Sequence, residues 1–249
     1  MTVRLFRVGG CVRDRILGKD CDDIDFVAVV EDSASVDQAF AAMIAHVEAM
    51  GLSVVPAMIN RQHVTIKALV PKGHMLRGEC SHVDVVLARV DGPSSDGRRP
   101  DWVKPGTLAQ DLARRDLRIN AIAEGPDGSL IDPFNGRQDL ADKVVAMVGD
   151  PMTRIREDGL RVLRALRFAI TLNFAIEAET FEALSTLEAA EMLRGVSSDR
   201  IQAELNKMLM ASHIATIQTL ARFPHVTAVI FAREDLRLTA TMKQPKRGK

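Results

Sequence analysis

The chain has 249 residues, 47% of them hydrophobic, and its 33 Lys and Arg balance 33 Asp and Glu to a formal net charge of zero. That length buries a substantial core in one large or two small domains, and the charge balance excludes a protein that coats nucleic acid through a general basic field. No run of 18 apolar residues could span a bilayer, no charged-then-apolar leader opens the chain, and Cys11, Cys21 and Cys80 lack CxxC spacing, so the reading is a cytoplasmic chain with no membrane contact, disulfide framework or zinc site.

A short strand over residues 5–8 runs into Gly9-Gly10-Cys11-Val12-Arg13-Asp14 and a helix over 12–17. Two adjacent glycines let backbone N–H groups approach a triphosphate without side-chain interference, and Arg13 can bind the phosphates. Asp22-Asp23-Ile24-Asp25-Phe26 then opens an apolar run through Val30, which reads as a buried strand with Asp23 and Asp25 on one face and Ile24 on the other. Such a carboxylate pair can hold two divalent metal ions over a transferring phosphoryl group. A Gly-Gly alone is usually a turn, and an Asp-x-Asp alone is usually solvated. Side by side, with Arg13 and Asp14 between them and a strand behind, they predict a nucleotidyl-transfer site.

An Ala-rich helix follows over 36–50, then strands over 63–70 and 82–88, the second alternating so that His82, Asp84 and Val86 share a face. Asp84 is therefore a candidate third carboxylate at the metal site; the alternative is a solvated group on an edge strand. Residues 91–106 are rich in Gly, Pro, Ser, Asp and Arg and predict an exposed mobile loop carrying Arg98 and Arg99. Tyrosine is absent and Trp102 is the only tryptophan, so stacking platforms are scarce and base recognition falls to polar side chains.

Beyond Gly149-Asp150-Pro151 the strand signals vanish, and residues 153–210 have helical periodicity, with Thr180 and Ser197 as N-caps and an apolar stripe of Ile201, Leu205, Met208 and Leu209. Val162, Leu163, Leu166 and Ile170 gather on one arc of a helix, while Asp158, Arg161 and Arg164 follow one another on another. Asp158 and Arg161, three residues apart, are expected to touch and hold each other's rotamers, presenting a carboxylate acceptor beside a guanidinium fork. Cytosine and adenine each offer an amine donor beside a ring-nitrogen acceptor, which such a pair satisfies; the bland alternative is a surface salt bridge. Residues 243–249 form a basic, frayed tail.

Taken together, Gly9-Gly10-x-Val12-Arg13-Asp14, Asp23-Ile24-Asp25-Phe26, Asp111-Leu112-Ala113-Arg114-Arg115-Asp116-Leu117-Arg118-Ile119-Asn120-Ala121, Ile131-Asp132-Pro133 and Glu157-Asp158-Gly159-Leu160-Arg161 through Phe168 closely resemble bacterial class II tRNA nucleotidyltransferases, the CCA-adding enzymes, and the related bacterial poly(A) polymerases. The resemblance spans about residues 5–210. It implies an α/β nucleotidyltransferase head of polymerase-β type with a mixed sheet (1–148), an all-α neck that recognises the base (149–212) and a short helical, basic tail (213–249). Gly9, Gly10 and Arg13 would hold the triphosphate, and Asp23 and Asp25 two Mg2+ ions, with Asp84 as a further catalytic candidate. Arg115 and Asp116 would serve ribose recognition beside Asn120. Asp158 and Arg161 would act as a protein template for the incoming base, with Arg164 and Arg167 binding phosphate or nucleotide from the same helix.

The expected partners are a tRNA 3′ end, CTP and ATP, and the expected reaction is metal-dependent addition of CCA. The alternatives are a poly(A) polymerase, a partial enzyme adding only CC or only A, and an inactive RNA-binding or regulatory protein. Against the poly(A) reading, Asn60-Arg61-Gln62-His63 lacks the paired basic residues followed by Phe expected of that subgroup. Gly159 stands where the family usually has proline or alanine, a local loss of roughly 1 kcal/mol in helix propensity that is expected to loosen the template. The resemblance also implies large helical body and tail domains beyond the neck, and no His-Asp pair suggests an appended phosphohydrolase. Residues 211–249 are too few for that body and tail, so a short form is expected, altered in its grip on tRNA more than in its chemistry.

Overall fold

A computed structural model of the chain describes residues 1–21, 23–92 and 102–236, which divide into two compact units meeting in sequence at Asp142 and Lys143. In the first, β1 (Val3–Val8) ends at Gly9, whose φ of 72° is a left-handed conformation that suits glycine, and the chain turns there directly into α1 (Gly10–Ile16). Strand β2 (Ile24–Val30) is apolar without alternation because it is covered on both faces: Ile24 and Phe26 through Val30 are all buried. Helix α2 (Val36–Ala49) starts where the Ser35 hydroxyl accepts from the Gln38 N–H, and buries Ala39, Phe40, Met43 and Val47 at helical spacing.

Strands β3 (Ser53–Val54), β4 (Thr65–Leu69) and β5 (His82–Leu87) follow. In β5 the alternation is as read: Val83, Val85 and Leu87 are buried, with His82, Asp84 and Val86 on the other face. Strands β6 (Arg89–Asp91) and β7 (Val103–Pro105) then pair antiparallel, so the loop predicted over 91–106 has ribboned ends. Three-residue strands closed by a proline are too short to register as a period. Arg98 and Arg99, expected in that loop, lie outside the described residues, as does Asp22.

After α3 (Leu108–Ala113), opened by a Thr107–Gln110 capping box, come β8 (Ala123–Glu124), β9 (Leu130–Ile131) and α4 (Gly136–Asp142). Asp132 of the Ile-Asp-Pro motif accepts from the Gly136 and Arg137 N–H groups at 2.8 Å each, a local turn-forming role. The sheet runs β3-β4-β5-β2-β1-β8-β9, with β2 and β5 parallel and every other neighbouring pair antiparallel. Strand β5 is thus interior, which removes the edge-strand alternative for Asp84.

The second unit starts at Lys143, six residues before the boundary expected from sequence, because β10 (Val144–Val145) pairs in parallel with β11 (Ala175–Ile176). The all-α reading is corrected to that extent. Between these strands lie α5 (Pro151–Glu157) and α6 (Leu160–Leu172). After them come α7 (Ala178–Leu184), α8 (Leu187–Arg194), α9 (Ser198–Ala211), α10 (His213–Ala221) and α11 (Pro224–Phe231). Helices α10 and α11 pack with α6, α8 and α9 in this same unit, burying Leu220, Phe223, Val226 and Ile230, so residues 213–231 belong to it and are not part of a separate tail.

Thr180 is not the cap of α7: the Glu177 carboxylate caps it, and the Thr180 hydroxyl, fully buried, accepts from the Met147 N–H at 3.1 Å. Ser197 does precede α9, without a side-chain cap bond, and of the α9 stripe Ile201, Leu205 and Met208 are buried while Leu209 is half-buried. Among the described residues no single helix is long and apolar enough to cross a membrane.

Candidate active site

Parallel pairing of β2 and β5 sets Asp25 directly opposite Asp84. Asp23 sits one residue before β2 rather than within it, its side chain 70% exposed and 3.5 Å from the His82 imidazole. Burial, then the charges of Asp23 and Asp84, push the Asp25 carboxyl up to about 6 from 3.8, against the opposing pull of Arg115 and Lys67. Asp84 Oδ2 lies 3.0 Å from Lys67 Nζ, which β4 presents from the neighbouring register position. Asp25, Lys67, Asp84 and Arg115 line a cleft of about 780 Å³, whose outer wall is the segment from Ala57 to Arg61.

Three carboxylates on one sheet margin are an oxygen donor set of the kind magnesium takes, and their mutual repulsion is what a divalent cation relieves. The residues therefore fit such an ion. Their side chains do not stand as a finished ligand cluster: among the described residues no three His, Cys, Asp or Glu groups converge in that way, since Asp84 is turned to Lys67 and Asp23 to His82.

The glycine cradle abuts the same cleft. A Cβ on Gly9 would lie 3.2 Å from Arg115 Nη1, tighter than ordinary contact, and 3.8 Å from Asp25 Oδ2, so the bare backbone is what lets Arg115 approach beside Asp25. Arg13 is buried, its guanidinium bonded to Asp14 at 2.8 Å through Nε and Nη2 and to Asn120 Oδ1 at 2.7 Å through Nη1. Asn120 Nδ2 in turn donates to Asp116 Oδ1 at 3.4 Å, and Asp116, also buried, accepts from the Leu117 N–H. Arg13 and, about a hundred residues on, Asp116 and Asn120 thus form one brace behind the cradle.

Sequence reasoning passed over Asp111. This fully buried carboxylate accepts from Arg114 on one oxygen and from Arg115 on the other, the latter at 3.1 Å and 3.3 Å. Its spacing of three and four residues before the two arginines on a helix was the available signal. Lys67 had none, since only strand register brings it to Asp84.

In the second unit the chain breaks at Asp158, which is extended (φ −157°, ψ 109°), so the single helix expected across this motif is two. The expected Asp158–Arg161 contact is replaced by two separate pairs. Arg200 on α9 grips Asp158, whose Oδ1 also accepts from the Leu160 N–H, and Arg161 pairs with Glu157 at 2.5 Å and the Arg154 carbonyl at 3.1 Å. Gly159 is likewise corrected: a Cβ there would lie 2.1 Å from the Met192 carbonyl oxygen, so the glycine lets the start of α6 meet the end of α8 and tightens the motif. Arg167 is bonded to the buried Glu204 and lies over the Phe168 ring at 3.8 Å, which clamps α6 to α9. Arg164 is half-buried, 5.8 Å from the same ring.

Residues 5–146 match the family described as Poly A polymerase head domain. The chain belongs to that family. Residues 173–231 of this head-domain family member match a second family, described as a probable RNA and SrmB-binding site of polymerase A. The chain is 38% identical over 203 residues to a CCA-adding enzyme of Levilactobacillus brevis, covering 81% of this chain and 45% of the relative. With a CCA-adding enzyme of Lactococcus lactis subsp. cremoris it shares 35% identity over 206 residues, covering 82% and 46%. It therefore spans about half the length of the curated relatives it matches. Among solved structures, the Bacillus stearothermophilus CCA-adding enzyme in complex with CTP superposes with a TM-score of 0.70 at 26% identity, covering 96% of this chain and 53% of that one. A Thermotoga maritima CCA-adding enzyme complexed with tRNA gives the same TM-score and identity, covering 93% and 49%.

Proposed function

We propose that the chain is a metal-dependent RNA 3′-end nucleotidyltransferase that adds C and A from CTP and ATP to a tRNA 3′ end. The observation that carries this reading is the in-register pairing of Asp25 with Asp84, beside Asp23 and under the Gly9–Arg115 cradle. The names of the relatives, CCA-adding enzymes, support the same choice of substrate.

In the proposed reaction the RNA 3′-hydroxyl gives up its proton to solvent and its oxygen attacks the α-phosphorus of the nucleotide in line, a new P–O bond forms as the α–β phosphoanhydride bond breaks, and pyrophosphate leaves. Asp23, Asp25 and Asp84 would hold the two Mg2+ ions, which when bound lower the pKa of the attacking hydroxyl and neutralise charge on the departing group. Arg115, kept in place by Asp111, faces the cleft as the cation nearest the bare Gly9 backbone, suited to the ribose and phosphates. The brace of Arg13, Asn120 and Asp116 fixes the turn that presents that backbone. Asp158 and Arg161 would read the base, each held in a preset rotamer by its own ion-pair partner.

Incubation of the chain with tRNA lacking its 3′ CCA, magnesium and labelled CTP and ATP tests the reading. Stepwise addition of C, C and A is expected. Long A tails would assign the poly(A) activity of the same family, arrest after CC or addition of A alone would assign a partial enzyme, and no incorporation would reject catalysis.

A further inference from the structure

The β6–β7 ribbon carries an aromatic side chain that the packing of the head does not require. Trp102 continues the ribbon one residue before β7, its carbonyl accepting from the Gly92 N–H at 2.8 Å, yet the residue remains 46% exposed. The ring is seated: a Cβ on Gly92 would lie 2.5–2.7 Å from three indole atoms, so the glycine backbone is the surface against which the ring rests. Two residues on, exposed Lys104 places its ammonium 5.0 Å from the ring centroid. The base of the ribbon is tied down. Arg89 bonds Asp91 at 2.6 Å and the His63 carbonyl at 2.6 Å, and Arg114 reaches Asp91 at 3.5 Å.

An aromatic face held in one orientation loses little entropy when something stacks on it, and a cation beside it favours a partner that carries a phosphate with each ring. We propose that Trp102 and Lys104 form an RNA-contact element of the head, on which an unpaired base of the RNA substrate stacks on the indole while Lys104 meets the adjoining phosphate. The proposal rests on the reading of the chain as an RNA nucleotidyltransferase. The pairing of a ring with a cation favours RNA, in which every base comes with a phosphate, over a protein partner.

Trp102 is the sole tryptophan and tyrosine is absent, so the intrinsic emission of the full chain reports on this one ring. Titration with tRNA lacking its 3′ CCA should change that emission saturably, whereas CTP or ATP alone should leave it unchanged. Measured by anisotropy of labelled RNA, Trp102→Ala should weaken binding about five- to a hundredfold and Trp102→Phe should recover most of it, with kcat at saturating RNA and the melting temperature close to wild type. Lys104→Gln should weaken binding and lower the slope of log affinity against log salt by about one. The proposal is overturned if labelled RNA binds while the emission stays constant, if Trp102→Ala binds as wild type does, or if free nucleotide alone produces the emission change. Nucleotide incorporation by the wild-type chain reports separately on the catalytic reading, so a failure at Trp102 is distinguishable from a failure of that reading.

Discussion

Arg200 donates to both oxygens of Asp158, Nη1 to Oδ1 at 3.2 Å and Nη2 to Oδ2 at 2.7 Å, from a helix 42 residues further along the chain. This fork, with the Leu160 N–H on Oδ1, fixes the carboxylate at the break between α5 and α6 without any help from Arg161. Oδ1 already accepts two of these hydrogen bonds and Oδ2 one, so with about two lone-pair sites per carboxylate oxygen it is Oδ2 that keeps acceptor capacity for a base amine.

Removing the fork should therefore affect nucleotide choice before it affects the fold. If Asp158 reads the base, Arg200→Ala lowers the preference for CTP and ATP over UTP and GTP by roughly ten- to a hundredfold in kcat/KM, the worth of one charge-assisted hydrogen bond of about 1.5–3 kcal/mol. Arg200→Lys, which keeps the charge and loses the second prong, should fall between. Unchanged ratios with a lowered melting temperature would make the pair purely structural.

Asp25 gives the chain a pH signature in the absence of metal. Its folded-state carboxyl titrates at about 6 and its unfolded one near 3.8, so across that window the folded chain binds more protons and its stability falls as pH rises. The loss at neutral pH is at most about 3 kcal/mol. In EDTA, Asp25→Asn should remove this slope and melt above wild type at pH 7, while abolishing nucleotide incorporation. Magnesium should raise the wild-type melting temperature more at pH 7 than at pH 5, and raise that of Asp25→Asn less.

For Gly159→Ala, helix propensity and tertiary packing predict opposite signs. The helix-interior position read from the sequence would gain about 1 kcal/mol, whereas Gly159 stands as the N-cap of α6, where glycine outranks alanine, and a methyl 2.1 Å from the Met192 carbonyl oxygen forces α6 and α8 apart at a cost of about 1–3 kcal/mol or more. Chemical denaturation should show net destabilisation, and a stabilised variant would mean that the two helices do not meet as described.

Asp111→Asn keeps the shape of a buried side chain and removes the charge shared by Arg114 and Arg115. A cost of about 3 kcal/mol is expected, because partly buried guanidinium groups lose their counter-ion. A rise in KM for nucleotide should accompany it, as Arg115 is no longer held beside Gly9. Wild-type KM with reduced stability would separate Arg115 from nucleotide binding.

The sequence by itself determined the glycine cradle, the Asp23 and Asp25 pair, the alternation of β5 and the helical character after Pro151. Each of these is a local pattern, written in neighbouring residues with a period of two or near 3.6. Only the tertiary structure decided what those residues face. Strand order made β5 interior and set Asp84 against Asp25, register supplied Lys67, and helix packing took Arg167 to Glu204 and Asp158 to Arg200. Ion pairs between residues tens of positions apart have no period and leave no local trace, and a close backbone approach such as Gly159 on Met192 is invisible until both helices are in place. Hence the candidate chemistry was legible in the chain, while the side chains that hold it in position became visible only in the fold.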